Sequence, residues 1–320
     1  MTLRSPRVAV LMIAICVGAL AMAPARAAPL AYVPNEGSGS ISVIDTATDR
    51  VRETLRVGTK PRGIAVSLDG KRLFVSDQAS GALIAYDLER GAEIARVALG
   101  ASPEAVYLSP DGKWLAAAVE EANEVVLIDA ATLRESRRVR MRGKNPEHAV
   151  FSRDGGQVYV SAEDGDTIDI VDVASGAISA SLKVGARPRG IGFLPDGSKA
   201  FVAAELANQV AVIDVARQEV VARIPAGTRS NGVLVHPDGT RVYVTAGGDN
   251  VVQVIDARTN AIVARIDVGR RPWNMAITPD GRKLYVACGR SNAVAVIDTA
   301  TNAKIADIAV GDLPWGVAIR

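Results

Sequence analysis

The stretch GIAVSLDGKRLFVSDQASGALIAYDLERGAEIARV, residues 63–97, decides the fold. Its apolar residues alternate with period two, not 3.6, so a helical solenoid is excluded. Gly63-Ile64-Ala65-Val66-Ser67, Leu73-Phe74-Val75-Ser76, Ala82-Leu83-Ile84-Ala85-Tyr86 and Glu93-Ile94-Ala95-Arg96-Val97 read as four short strands, rich in β-branched residues and bounded by turn residues. Leu68-Asp69-Gly70-Lys71 reads as a tight hairpin in which Asp-Gly supplies the positive φ angles.

The same unit recurs on both sides of this stretch. An Asp closing an apolar alternating run stands at Asp45, Asp87, Asp129, Asp172, Asp214, Asp256 and Asp298, spaced by 42 or 43 residues. A Pro-Asp-Gly-type turn recurs at Asp69, Asp111, Asp154, Asp196, Asp238 and Asp280. Seven units fill residues 28–320 and leave no linker or second domain. Four antiparallel strands per unit, repeated seven times, predict an all-β, seven-bladed β-propeller as a single domain over 28–320. The last unit stops at Gly316-Val317-Ala318-Ile319-Arg320, an inner strand alone, whereas Leu30-Ala31-Tyr32-Val33 enters as a second strand. The ring is therefore expected to close by pairing the C-terminal inner strand with the N-terminal strands, which removes an open edge.

Residues 1–27 read as a cleavable secretory signal peptide. Arg4 and Arg7 precede the apolar run Val8–Met22, and Ala25-Arg26-Ala27 offers the small-x-small cleavage pattern. The run of about 15 residues is short for the roughly 20 that span a bilayer. Ile15 before Cys16 spoils a lipobox. The expected mature chain is periplasmic, monomeric and without a membrane anchor. Two cysteines exclude a disulfide scaffold, a Cys-based zinc module and a CxxCH haem site. At 48% hydrophobic and 22% charged, the chain is too apolar for disorder. Without Arg4, Arg7 and Arg26 it carries 34 basic against 35 acidic residues, which gives no electrostatic case for nucleic acid.

In a repeat, residues identical in every unit are structural, and function is sought where equivalent positions differ. The recurring Asp are read as turn acceptors. Just after the loop proline the units carry Arg62, Glu104, Glu147, Arg189, Asn231, Trp273 and Trp315, which a propeller places around the mouth of its channel. The following residue is Gly63, Gly190, Gly232 or Gly316 in four units, but His148 and Asn274 in two others. The loop between second and third strands adds Glu36, Glu120, Glu163 and Glu205 on the same face. Two readings stay open. In one, Arg62 and Arg189 grip an anion while Trp273 and Trp315 stack a flat ring. In the other, Arg and Glu pair with one another and the tryptophans plug the channel.

No catalytic residue, metal or cofactor is assigned. Glu104, Glu120, Glu147 and His148 make a weak metal set, since a lone imidazole lacks a second ligand at fixed spacing. HExxH, GxSxG and GxxxxGK[ST] are absent, and Arg189-Gly190-Ile191-Gly192 leads into a hairpin, not a helix. The rival to a binding protein is a hydrolase or lyase at the same mouth, with Glu147 or His148 as base. Single-strand nucleic acid stacking on Trp273 and Trp315 is a third reading, opposed by the net charge. Cys288 reads as a buried inert thiol, His236 as surface, and Arg137-Arg138-Val139-Arg140-Met141-Arg142 as protection of an outer edge.

Pro279-Asp280-Gly281, Leu284-Tyr285-Val286-Ala287 and Val296-Ile297-Asp298-Thr299-Ala300-Thr301-Asn302 resemble the YVTN-family (YncE-like) β-propeller repeat, over the whole chain after the leader. Within that group, Arg271-Pro272-Trp273-Asn274-Met275-Ala276 and Leu313-Pro314-Trp315-Gly316-Val317 resemble the C-terminal part of a periplasmic subfamily associated with pyrroloquinoline quinone-dependent alcohol catabolism. The resemblance implies only a setting, a quinoprotein dehydrogenase system, and no particular reaction; the expectation of a small anionic or aromatic ligand or a partner protein rests on the mouth residues Arg62, Glu104, Glu147, Arg189, Trp273 and Trp315. The chain departs from the pattern at Leu115-Ala116-Ala117-Ala118, which lacks the aromatic, and at Ser230, where the other units have proline.

Overall fold

Each unit folds into a four-stranded antiparallel sheet, and seven such sheets form the computed structural model. It describes residues 1, 2 and 28–320, so all but the first two residues of the expected signal peptide lie outside it. Blade 1 runs from its inner strand Pro61–Val66 through Arg72–Asp77 and Ala82–Asp87 to its outer strand Ala92–Ala98. The inner strands of blades 2 to 6 are Pro103–Leu108, Pro146–Phe151, Pro188–Phe193, Ser230–Val235 and Pro272–Ile277.

The second and third strands are buried on both faces, as in Leu73, Phe74 and Val75 of blade 1, because every blade is packed between two others. Ala65, Phe74 and Leu83 of blade 1 thus share one core cluster with Val106, Leu115 and Val126 of blade 2. Outer strands alternate exposed with half-buried residues.

The repeated aspartates work as expected. Asp45 Oδ1 accepts from the amides of Ala47 and Thr48, and Asp87, Asp129, Asp172, Asp214, Asp256 and Asp298 each accept from an amide of the turn that follows. The Asp-Gly hairpin differs from expectation in one respect. Only the glycine is left-handed, with φ near 72° at Gly70, while Asp69 is not. Gly70 N donates to Ser67 O (2.9 Å), closing a turn in which the Asp69 carboxylate binds Ser67 Oγ and Lys71 N. This is a turn with one left-handed residue at its exit, so Asp is present for its acceptor and Gly alone for its φ.

The ring closes as the chain ends predict. Ala318–Ile319 pairs with Tyr32 and Ala31, and completes a sheet with Leu30–Asn35, Ser40–Asp45 and Arg50–Leu55. Leu30 and Arg320 exchange both backbone hydrogen bonds (2.9 and 3.1 Å). The closing strand is shorter than the sequence suggests because a bulge precedes it: Pro314 bridges to Asn35, and pairing resumes one residue out of step at Ala318.

Candidate functional site

That bulge occurs in every blade and builds the site. In blade 1, Pro61 faces Asp77 and Ile64 faces Val75, so Arg62 and Gly63 share the single partner Ser76. The same slip follows Pro103, Pro146, Pro188, Ser230 and Pro272. The ring residues therefore lie within the inner strands, as the bulged pair, and not in the loops where the sequence reading put them. A bulge frees a backbone group and re-aims a side chain. Here the freed amide is held by the opposite hydroxyl: Gly63 N by Ser76 Oγ (2.8 Å), His148 N by Ser161 Oγ (3.0 Å) and Gly232 N by Thr245 Oγ1 (2.7 Å). Adjacent inner strands meet so closely that a Cβ on Gly63 would stand 2.5 Å from Val106 N, and one on Gly232 2.4 Å from Trp273 O. At Gly63 and Gly232 the missing side chain is thus a packing requirement.

The charged ring residues pair with one another. Arg62 donates from Nε to Glu36 Oε2 (3.1 Å) and from Nη1 to Glu104, and its guanidinium sits 5.9 Å from the Trp315 ring centroid. Arg189 reaches Glu147 Oε1 (2.6 Å), Glu163, and Glu205 Oε2 (2.9 Å). Glu104 and Glu205 are wholly buried, and Glu147 and Glu163 nearly so. Five buried carboxylates around two guanidiniums cannot all stay ionised. Burial, then the charge of Glu147, pushes the Glu104 and Glu163 carboxyls up to about 8. Burial also raises Glu147, but the charges around it, Arg189 first and Arg62 with it, outweigh burial and hold this carboxylate below its ordinary range. Glu205 is likewise held down against burial by Arg189 and Arg271.

His148 is not a charge carrier. Burial pulls it down to about 4 against the pull of Glu147, so its imidazole is neutral. Its Nδ1 is hydrogen-bonded to Tyr107 Oη at 2.7 Å, the imidazole tautomer setting which of the two donates. Nε2 has no partner among the described residues, and the ring stacks on Trp315 at 5.7 Å and 20°. Trp315 is itself locked: its amide donates to Pro34 O (3.0 Å) across the ring closure. With Asn274 it separates a pocket of about 110 Å³ at the mouth from a cavity of about 270 Å³ deeper in the channel. The mouth pocket is lined by Arg62, Glu147, Arg189, Asn231, Arg271, Trp273, Asn274 and Trp315. Glu104 and His148, predicted beside them, lie behind this surface. No group of His, Cys, Asp and Glu among the described residues has the arrangement of a metal site.

Several contributors escaped the sequence reading. Arg187 and Arg271 reinforce Glu163 and Glu205 at 3.0 and 2.7 Å. Gln78 holds Glu104 Oε1 at 2.9 Å, and Ser102 bridges Glu104 to Glu120. For Arg187, Arg271 and Ser102 the signal was the column just before the proline, which reads Lys60, Ser102, Asn145, Arg187, Arg229, Arg271 and Leu313; Gln78 stands in the column of Glu36, Glu120, Glu163 and Glu205. Cys288 is wholly buried, and burial pushes its thiol up to about 11, in keeping with an inert role. His236 is half-buried between hairpins, its Nε2 3.0 Å from Gly281 O, and so is more than surface. Arg137 donates to Ala174 O and Ser175 O of the next blade, which makes it an inter-blade staple as well as an edge charge.

The model of the YNCE-like beta-propeller family matches residues 4–319, and the chain belongs to that family. Among solved structures, hydrazine synthase of Kuenenia stuttgartiensis is similar at 24% identity and a TM-score of 0.77, over 84% of this chain and 92% of that one. A functionally unknown protein from Desulfotomaculum acetoxidans is similar at 17% identity and TM-score 0.81, over 91% and 98%. Dihydro-heme d1 dehydrogenase NirN in complex with DHE is similar at 17% and 0.67, over 90% and 74%. At these identities the likeness is one of fold. No curated protein sequence matches the chain.

Proposed function

We propose that this propeller is a non-catalytic binding protein that receives one small planar or polar group of its ligand or partner in the mouth pocket. One observation carries the reading: the ring charges are already paired with each other, so the pocket offers a preorganised wall of Trp273, Asn231 and Asn274 instead of a waiting charge. A volume of about 110 Å³ corresponds to some three or four waters, so a larger ligand can insert only one group. The carboxyls that keep a proton toward neutral pH, Glu104 and Glu163, do not line the pocket. The one that does, Glu147, is ionised and committed to Arg189, which weighs against the hydrolase or lyase reading.

The proposed setting is periplasmic, with the leader removed and the chain monomeric. A quinoprotein-linked alcohol oxidation system is the proposed context, resting only on the resemblance of Arg271–Ala276 and Leu313–Val317.

The test is a thermal-shift panel of pyrroloquinoline quinone, small acids of alcohol oxidation, lactones, divalent metals and oligonucleotides. A ligand at about 100 times its Kd stabilises by roughly 2.7 kcal/mol. The control is Trp273→Ala, because Trp315 is buried against His148 and truncating it would also disturb the packing of the channel. A shift lost in that variant supports the reading. Turnover of a lactone or ester that disappears in Glu147→Gln replaces it with the enzyme reading.

A further inference from the structure

A second feature of the same face is absent from the ring column. Between blades 5 and 6 lies a groove of about 420 Å³ lined by Arg229, Arg270, Arg271 and Arg290 over a floor of Gly247, Gly248 and Asn250. No carboxylate lines it. Glu205, behind Arg229 and Arg271, is already shared among four guanidiniums, those of Arg187 (3.5 Å), Arg189 (2.9 Å), Arg229 (3.5 Å) and Arg271 (2.7 Å). Asp249 accepts from Thr228 N (3.0 Å) and pairs with Arg265 (3.5 Å). Arg270 and Arg290 form no ion pair among the described residues; Arg270 Nη2 instead donates to Arg290 O (3.0 Å) and so is held at the rim. The groove thus concentrates positive charge that the protein does not neutralise.

The backbone does not explain these residues. Arg187, Arg229 and Arg271 occupy one repeat-equivalent position with φ of 54–58°, where blade 3 has Asn145 at 57°. Asparagine is the residue such a conformation favours. The same left-handed position holds Ser102 and Leu313, so the backbone does not call for arginine, yet three successive blades place a guanidinium there.

We propose that this groove binds a small multivalent oxyanion, a di- or tricarboxylate or a phosphate ester, whose charged groups bridge Arg229 to Arg270 and Arg290. Planar guanidinium forks match both carboxylate and phosphate oxygens by paired hydrogen bonds. The site is independent of the mouth pocket: Arg271 forms the wall between them, but Arg229, Arg270 and Arg290 line only the groove.

The experiment is isothermal titration of the chain with citrate, pyrophosphate and acetate at constant ionic strength, repeated on Arg270→Gln/Arg290→Gln. Both substituted side chains are exposed and outside every ion pair described, so the variant should keep the parent melting temperature, which is checked first. Citrate or pyrophosphate is expected to bind at one site and to lose at least tenfold in the variant, about 1.4 kcal/mol, with acetate weaker by a similar factor. Binding of citrate alone assigns a carboxylate ligand, and of pyrophosphate alone a phosphate. Trp273→Ala should leave the titration unchanged, which separates failure here from failure of the mouth-pocket reading. The proposal is overturned if neither probe binds at millimolar concentration, if the double variant binds as well as the parent, or if a single-stranded oligonucleotide binds more tightly than both.

Discussion

Two halves of one face use the same side-chain chemistry to opposite ends. Around Arg62 and Arg189, buried carboxylates match or outnumber the guanidiniums, and the surplus is absorbed by protons on Glu104 and Glu163. Around Arg229, Arg270, Arg271 and Arg290 no carboxylate lines the groove: Arg229 and Arg271 share the one buried Glu205, and Arg270 and Arg290 stay exposed and outside any ion pair among the described residues. Matched and desolvated charge locks a structure, because removing either partner strands the other; unmatched and hydrated charge costs little to keep and remains able to bind. The lesson is that a polar propeller mouth is not functional throughout. Its buried belt is architecture, and the half lacking counter-charges is where a ligand adds most.

The largest expected effect comes from breaking the belt. Arg189→Met leaves Glu147, Glu163 and Glu205 without their common cation and should cost about 3–5 kcal/mol in urea denaturation at pH 7. A loss below about 1 kcal/mol would show that the belt is hydrated and that the contrast between the halves is wrong. Next in size is the difference between two glutamates. Glu205→Gln removes an ionised acceptor of four guanidiniums and should cost about 2–3 kcal/mol. Glu163→Gln replaces a carboxyl that is already protonated and should cost under about 1 kcal/mol. Equal losses would remove the protonation assigned to the Glu147–Glu163 pair.

The pH dependence sharpens the same point. A carboxyl whose pKa rises from 4.5 to about 8 on folding, as for Glu104 and Glu163, binds more protons folded than unfolded across that interval. Its contribution is complete below 4.5 and is lost as pH rises through about 8. Glu147 and Glu205 act oppositely: their contribution is present above 4.5 and lost as pH falls through their depressed values. The melting temperature should therefore decline from pH 5 to 9, and Glu104→Gln/Glu163→Gln should flatten that decline; an unchanged slope would refute it. The smallest effect belongs to the groove. Arg270→Gln/Arg290→Gln should change stability by no more than about 0.5 kcal/mol, read from the urea midpoint. A larger loss would make these arginines structural and erase the distinction.

Much of the molecule was legible in sequence because it depends on neighbours in the chain. Gly63–Val97 shows its strands by alternation, Asp45 and its equivalents show their turns by spacing, and Gly316–Arg320 shows ring closure as an unfinished unit. The ring column from Arg62 to Trp315 was legible too, although its bulged position within the inner strands was not. The column that holds Arg187, Arg229 and Arg271 was equally visible, but its importance was not, since a residue beside a loop proline reads as solvated rim until the packing is known.

The sequence by itself therefore determined the repeat, the strands, the turns and the closed seven-bladed ring, since each follows from φ/ψ preference and period-two burial over a few residues. Only the tertiary structure decided which charges meet. Arg62 finds Glu104 one blade away, and Arg271 reaches Glu205 across 66 positions of chain. Such pairings depend on how far inward each bulge turns its side chain and on how little water remains between blades. Coulomb energy and desolvation act through space, at a few ångströms, and no local pattern of residues encodes that distance.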